Sequence, residues 1–228
     1  MKNGSDDSST RAPSSSPEAR SEATRTQILD AAETLFAERG FAGTSMRTLA
    51  VAAGTSQALL HHHFGTKAGL YEAVKQRFTD RYDAQRTQAR TIDTARTPGA
   101  FSPPKVLDEV KRYFEFLQQN PNLSRLIAWA RLEGDSAPWG GMSVIWAEVQ
   151  DWLERGKKVG LLPERVDPGL LMVLGAASVQ YWFDHRDVLC RAIGIDENDE
   201  TLDARYLKHS VDVLLYGTVQ RGRPGESS

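Results

Sequence analysis

At 228 residues the chain is long enough for one large domain or two unequal ones. A fold of that size buries roughly 70% of its unfolded surface without needing cross-links. Apolar residues at 40% and charged residues at 25% exclude a collagen-like, disulfide-scaffold or wholly disordered chain. Cys190 has no second cysteine to pair with, and no apolar run approaches the ~20 residues of a membrane span. The N-terminal segment lacks the apolar stretch of a secretory signal. A cytoplasmic protein without a membrane partner is therefore expected. The formal net charge of −2 does not suggest a nucleic-acid binder, but its distribution is uneven. Residues 1–98 carry 13 Lys and Arg against 11 Asp and Glu, while residues 99–228 carry 15 against 19. Basic groups on one face would suffice for DNA whatever the total.

In chain order, residues 1–20 are nearly devoid of apolar side chains and are expected to be a disordered tail, with Arg11 and Arg20 near any bound phosphate. Ile28, Leu29, Ala32, Leu35 and Phe36 form one stripe at a 3.6-residue period, predicting a helix over 22–39 that stops at Gly40 with a left-handed cap. Thr44 and Ser45 can cap a short helix carrying Met46, Leu49, Ala50 and Ala53. Gly54, Thr55 and Ser56 lead into a second short helix over 56–64, broken at Gly65. Thr66 caps a long helix with Leu70, Tyr71, Val74, Phe78 and Tyr82 on one face, running to about residue 91. Short helices joined by a glycine turn make a helix-turn-helix, held only if the flanking helices share a core built on Phe36, Leu49, Leu60, Phe64 and Val74.

Thr97-Pro98-Gly99 and Ser102-Pro103-Pro104 mark a change in composition. Beyond them the pattern predicts helices over 105–119, 123–133, 142–159, 168–183 and 202–218, with a loop at 134–141 and a polar tail at 219–228. No strand-like alternation occurs. The expected fold is all-α, about nine helices, divided into a tail (1–20), a three-helix head (21–70), a helical bundle (71–218) and a second tail.

The run Gly40-Phe41-Ala42-Gly43-Thr44-Ser45-Met46-Arg47-Thr48-Leu49-Ala50, followed by Ala53-Gly54-Thr55-Ser56-Gln57-Ala58-Leu59-Leu60-His61-His62-His63-Phe64-Gly65-Thr66-Lys67, closely resembles the tetracycline-repressor-like (TetR) family of transcriptional regulators. The resemblance implies a DNA-binding head and a C-terminal domain for dimerisation and effector binding. It implies that helix 56–64 lies in the major groove, which admits one α-helix. Gln57 can then bond adenine bidentately, and Ala58 and Leu59 can meet a thymine methyl. Arg47 can pair with guanine or phosphate. Thr44 and Lys67, at helix N-termini, are expected to grip phosphate. Ser56 and His62 complete the DNA-facing set. His61 stands where the family commonly has tyrosine, and it could still donate to phosphate. Three consecutive histidines fan by ~100° each and cannot converge on one ion, so no metal is expected.

All five tryptophans lie in the C-terminal half. They can fill core, or line an effector pocket near Trp129, Trp146 and Trp182, with Arg125, Arg131, Gln180 or His185 fixing ligand polarity. Helices 168–183 and 202–218 are expected to form a four-helix dimer interface, with Gly175, Ala176 and Ala177 admitting the partner backbone and Leu214 on its face. The long helix from Thr66 is the expected lever between pocket and head. No G-x-S-x-G elbow, phosphate loop, dinucleotide fingerprint, H-E-x-x-H or C-x-x-C occurs, so neither an enzyme nor a cofactor is expected. The expected function is a homodimeric repressor that leaves a near-palindromic operator when an effector binds. The alternatives are an effector-dependent activator and an effector-free architectural protein.

Overall fold

The computed structural model describes residues 16–96, 103–135, 139, 142–160 and 162–218. These residues contain no strand and form nine helices: α1 (Pro17–Arg39), α2 (Met46–Ala52), α3 (Gln57–Phe64), α4 (Lys67–Arg96), α5 (Pro103–Gln119), α6 (Pro121–Leu132), α7 (Met142–Lys158), α8 (Pro168–Ile193) and α9 (Leu202–Thr218). The first fifteen residues, Arg11 among them, the composition change at 97–102, most of the 134–141 loop and the tail at 219–228 lie outside the described residues.

The caps sit where the side-chain oxygens predict them. Ser45 Oγ accepts from the Thr48 amide at 3.1 Å, Ser56 Oγ from Leu59 at 3.1 Å, Thr66 Oγ1 from Gly69 at 3.0 Å and Asp167 Oδ1 from Leu170 at 2.9 Å. Each such cap is worth about 1 kcal/mol, which matters most for seven- and eight-residue helices such as α2 and α3.

Five helices are longer than the apolar pattern alone predicts, α5 by two residues at its start. Ser16 caps α1 and Pro17 occupies its first turn, so residues 17–20, expected in the tail, are helical. Pro121 likewise opens α6 rather than merely breaking the chain. Helix α4 runs five residues past 91, to Arg96. Helix α8 continues ten residues past 183, to a left-handed Gly194 at φ 72°, ψ 27°. The charged residues there do not interrupt it, because Arg186 donates to Asp203 Oδ1 and to the Glu197 carbonyl, both at 2.9 Å. Gly40 has φ 70° and ψ 179°, outside the left-handed helical region and in territory that only glycine enters without strain.

One apolar cluster runs from Ile28, Phe36, Leu49, Leu60 and Val74, through Phe78 and Tyr82 on α4, to Phe114, Leu126 and Trp182. Of the five residues expected to make the head core, four are buried and Phe64 is half-buried, with the Arg25 guanidinium 4.7 Å from its ring centroid. Full burial of a leucine such as Leu60 is worth roughly 1.5–3 kcal/mol. The boundary expected after residue 70 therefore falls within one helix and one core. Among the described residues no helix is long and apolar enough to cross a membrane.

Candidate nucleic-acid interface and internal cavity

Helix α3 buries Leu60 and turns its other side outward. Gln57, Ala58, His61 and His62 are exposed, Leu59 and His63 are half-buried, and Arg47 on α2 is exposed. Ser56 is exposed too, with its hydroxyl committed to the cap. The first turns of α2 and α3 thus each expose a polar side chain, the Arg47 guanidinium and the Gln57 amide.

Two residues expected on phosphate are turned inward instead. Thr44 is 2% exposed; its hydroxyl donates to the Gly40 carbonyl at 2.8 Å and its amide to the Phe41 carbonyl at 3.3 Å. The Lys67 ammonium donates to the Phe41 and Thr44 carbonyls, each at 2.9 Å, and sits 4.2 Å from the Phe41 ring centroid. Both side chains hold the turn between α1 and α2. Helix-start position gave the expectation; the unpaired carbonyls of an irregular turn, which attract the nearest donor, explain the outcome. His61 Nδ1 lies 2.6 Å from the Gly65 carbonyl, which can only accept, so Nδ1 carries the proton. In the neutral ring Nε2 is then an acceptor, and only the imidazolium offers phosphate a second donor. Among the described residues no group of three His, Cys, Asp or Glu side chains could hold a metal ion.

The same turn is gripped from the other side by the end of α6. Glu133 Oε2 accepts from the Phe41 amide at 3.0 Å and Oε1 from the Ala42 amide at 2.8 Å. Trp129 packs against Gly40 so closely that a Cβ there would lie 2.8 Å from the indole and 2.6 Å from Glu133 Oε1. Nearby, Lys75 is 2% exposed and its ammonium reaches Asp135 at 2.9 Å and Glu72 at 3.0 Å. Burial opposes its charge, but the hydrogen bonds to Asp135 and Glu72 outweigh burial and raise its pKa above the ordinary lysine value.

Between α4, α5, α6, α7 and α8 lies a cavity of about 270 Å³, walled by residues including Tyr82, Tyr113, Ile127, Trp146, Met172 and Leu214. Of the four expected ligand residues only Trp146 lines it. Trp129 is at the head, as above. Trp182 is 7% exposed, stacks on Tyr206 with centroids 4.0 Å apart and donates its indole N–H to Asp203 at 3.0 Å. Gln180 stands behind the wall: Oε1 accepts from the Tyr113 hydroxyl at 3.0 Å and Nε2 donates to Asp184 at 2.8 Å. Arg125 is exposed, Arg131 borders a second hollow beside Asp135, and His185 stacks on Tyr181 at 4.3 Å. Sequence reasoning missed Tyr82, Glu109 and Tyr113, whose signal was only a polar atom recurring on apolar helix faces.

Residues 28–74 match the model of a family described as bacterial regulatory proteins, tetR family. The HTH-type transcriptional repressor KstR2 of Rhodococcus jostii is 45% identical over 56 residues, covering 25% of this chain and 28% of that protein. The HTH-type transcriptional repressor Rv1474c of Mycobacterium tuberculosis is 29% identical over 152 residues, 65% of this chain and 74% of that protein. The chain spans less than half the length of several other curated relatives that it matches. The solved ketosteroid transcriptional regulator KstR2 of Mycobacterium tuberculosis shares the fold, with a TM-score of 0.63 at 17% identity over 86% of this chain and 95% of that one.

Replacing Lys67 by alanine separates bracing from phosphate contact. Loss of two charge-assisted bonds should cost about 1–2 kcal/mol of stability in a thermal melt. The slope of log DNA affinity against log salt should stay unchanged. A slope smaller by about one would return Lys67 to the phosphates.

Proposed function

We propose that the chain, whose residues 28–74 match the tetR family of bacterial regulatory proteins, is a DNA-binding transcriptional regulator, a repressor that leaves its operator when a small molecule fills the internal cavity. The observation that carries the reading is the outward face of α3. Gln57 and Ala58 stand free at its first turn beside Arg47, while Leu60 anchors the helix in the core. An amide at that place can bond adenine bidentately, a guanidinium can take guanine or phosphate, and Ala58 and Leu59 can meet a thymine methyl. His61 and His62 lie further along the same helix, toward the backbone. Ser56 holds the helix start.

Two such heads need a two-fold dimer to reach adjacent major grooves roughly 34 Å apart, which makes the operator near-palindromic. An exposed apolar stripe on α8 supports this: Leu170 (63% exposed), Leu174 (60%), Tyr181 (54%) and Val188 (62%), with Val213 (59%) on α9. Gly175 is not on that stripe, since a Cβ there would meet Val110 at 2.9 Å, and Ala176 and Leu214 face the cavity; of the three small residues only Ala177 is exposed. Helix α6 supports the coupling. It lines the cavity with Ile127 and ends in the Trp129 and Glu133 contacts with the α1–α2 turn. A ligand that shifts α6 shifts the head by the shortest path, with α4 as the second connection.

Three measurements test the reading. Gln57→Ala should weaken specific operator binding by roughly 1–3 kcal/mol and relax preference at one base pair per half-site, with binding to random duplex unchanged; equal losses on both would remove base readout. Leu174→Glu should give a monomer in sedimentation at micromolar concentration that binds operator poorly, and an unchanged dimer would move the interface elsewhere. For coupling, Ala176→Leu places bulk in the cavity and should reduce operator affinity about 5–150-fold, the range of a 1–3 kcal/mol coupling. In a Glu133→Ala background that effect should largely vanish, and additive effects would take Glu133 out of the route.

A further inference from the structure

The cavity wall specifies more than an apolar occupant. Tyr82, Glu109 and Tyr113 interrupt an otherwise aliphatic and aromatic lining, and no lysine or arginine is among the described lining residues. Glu109 is fixed from behind: its Oε2 takes the Arg86 Nε–H at 3.2 Å and its Oε1 the Arg112 Nη1–H at 2.8 Å. Arg86 is 2% exposed, its guanidinium carbon lies 5.9 Å from the Tyr82 ring centroid, and it is not among the lining residues. The carboxylate is thus held between two guanidinium groups. Tyr113 gives its hydroxyl proton to Gln180, so the phenol oxygen keeps lone pairs for another donor. Burial pushes both the Tyr113 and Tyr82 phenols above their usual range, so both stay neutral at working pH.

Each charge class meets a penalty in such a site. An anionic headgroup would meet the Glu109 carboxylate in a low-dielectric cavity with no cation on the wall to receive it. A cationic headgroup would be brought up to a carboxylate already shared by two guanidinium groups. An uncharged donor finds acceptors in the Glu109 carboxylate and the Tyr113 oxygen, with no like charge to oppose it. We infer that the cavity takes an uncharged apolar molecule carrying a hydroxyl or similar hydrogen-bond donor, held by Glu109 and Tyr113 at its polar end and by Ile127, Trp146 and Met172 along its length. This inference rests on the reading of the cavity as the effector site.

A matched eight-carbon series tests it: 1-octanol, octanoate and octylamine, titrated at pH 7.5 into the full chain and followed by calorimetry and by tryptophan fluorescence. 1-Octanol should bind at least tenfold more tightly than either charged analogue, and Ala176→Leu should abolish its binding. Glu109→Gln removes the charge and keeps an acceptor. It should narrow the gap between 1-octanol and octanoate several-fold, with a thermal melt confirming that the variant folds. Octanoate or octylamine binding as well as 1-octanol, or an unchanged preference in Glu109→Gln, would overturn the ligand class and leave the cavity as the site. Binding that Ala176→Leu does not affect, or no binding by any of the three up to millimolar concentration, would overturn the cavity reading itself.

Discussion

The turn from Gly40 to Thr44 has no regular structure of its own, and the rest of the molecule is arranged around supplying its backbone with partners. An irregular segment must satisfy its amides and carbonyls from elsewhere. Here Glu133 on α6 takes two amides, Lys67 on α4 takes two carbonyls, and the Thr44 hydroxyl takes a third. A carboxylate and an ammonium from two different helices therefore hold opposite edges of one short turn. Charge-assisted bonds of this kind are short and roughly twice as strong as neutral ones. Gly40 is where they can all reach the backbone, because no side chain stands between it and Trp129.

The same kind of bracing runs along α4. Four of its cations are spent on the protein itself: Lys67 on the turn, Lys75 between Glu72 and Asp135, Arg81 on Glu33 at 3.1 Å and Arg86 on Glu109. A near-neutral chain is what remains when basic residues brace helices against one another. The groups turned outward around α3 are few, and on the proposed reading recognition there would rest on an amide, a guanidinium and small apolar side chains more than on a broad basic field. Binding of that kind leans on base-edge contacts and two-fold repetition, and a single head would gain little.

Helix positions were legible because burial imposes a 3.6-residue period; Ile28, Leu29, Ala32, Leu35 and Phe36 announce the core face of α1, and Leu202–Thr218 was read to the residue. Where α8 runs on past 183, charge hid the helix: the apolar pattern ends there, and only the pairing of Arg186 across space with Asp203 and the Glu197 carbonyl shows how the charged stretch is held. At the candidate sites, exposure of Gln57 and Ala58 followed from their place in a turn before a buried leucine. The tryptophans could not be sorted, because residue type fixes size and not neighbours: Trp129 reads the same as Trp146, and only packing puts one on Gly40 and the other on the cavity. Lys67 shows the same limit, since a lysine at a helix start can serve an external phosphate or an internal carbonyl with the same chemistry, and only the structure shows the two carbonyls it meets.

These placements bear on how a signal could cross the molecule. Tertiary cores are close-packed and change by discrete repacking, not by smooth strain. Helix α6 has one side on the cavity through Leu123 and Ile127 and its last turn on the head through Trp129 and Glu133. Because the head and bundle share one apolar cluster through Phe78 and Tyr82, a displaced α6 cannot relax locally without moving either the turn at 40–44 or the α4 side of the cavity. The turn is the softer of the two: it is held mainly by hydrogen bonds at a partly solvated surface, whereas Phe78 and Tyr82 are fixed by burial on several sides. On the proposed reading, movement would therefore go toward α2 and α3, the helices that carry Arg47 and Gln57, and away from the core that keeps the protein folded.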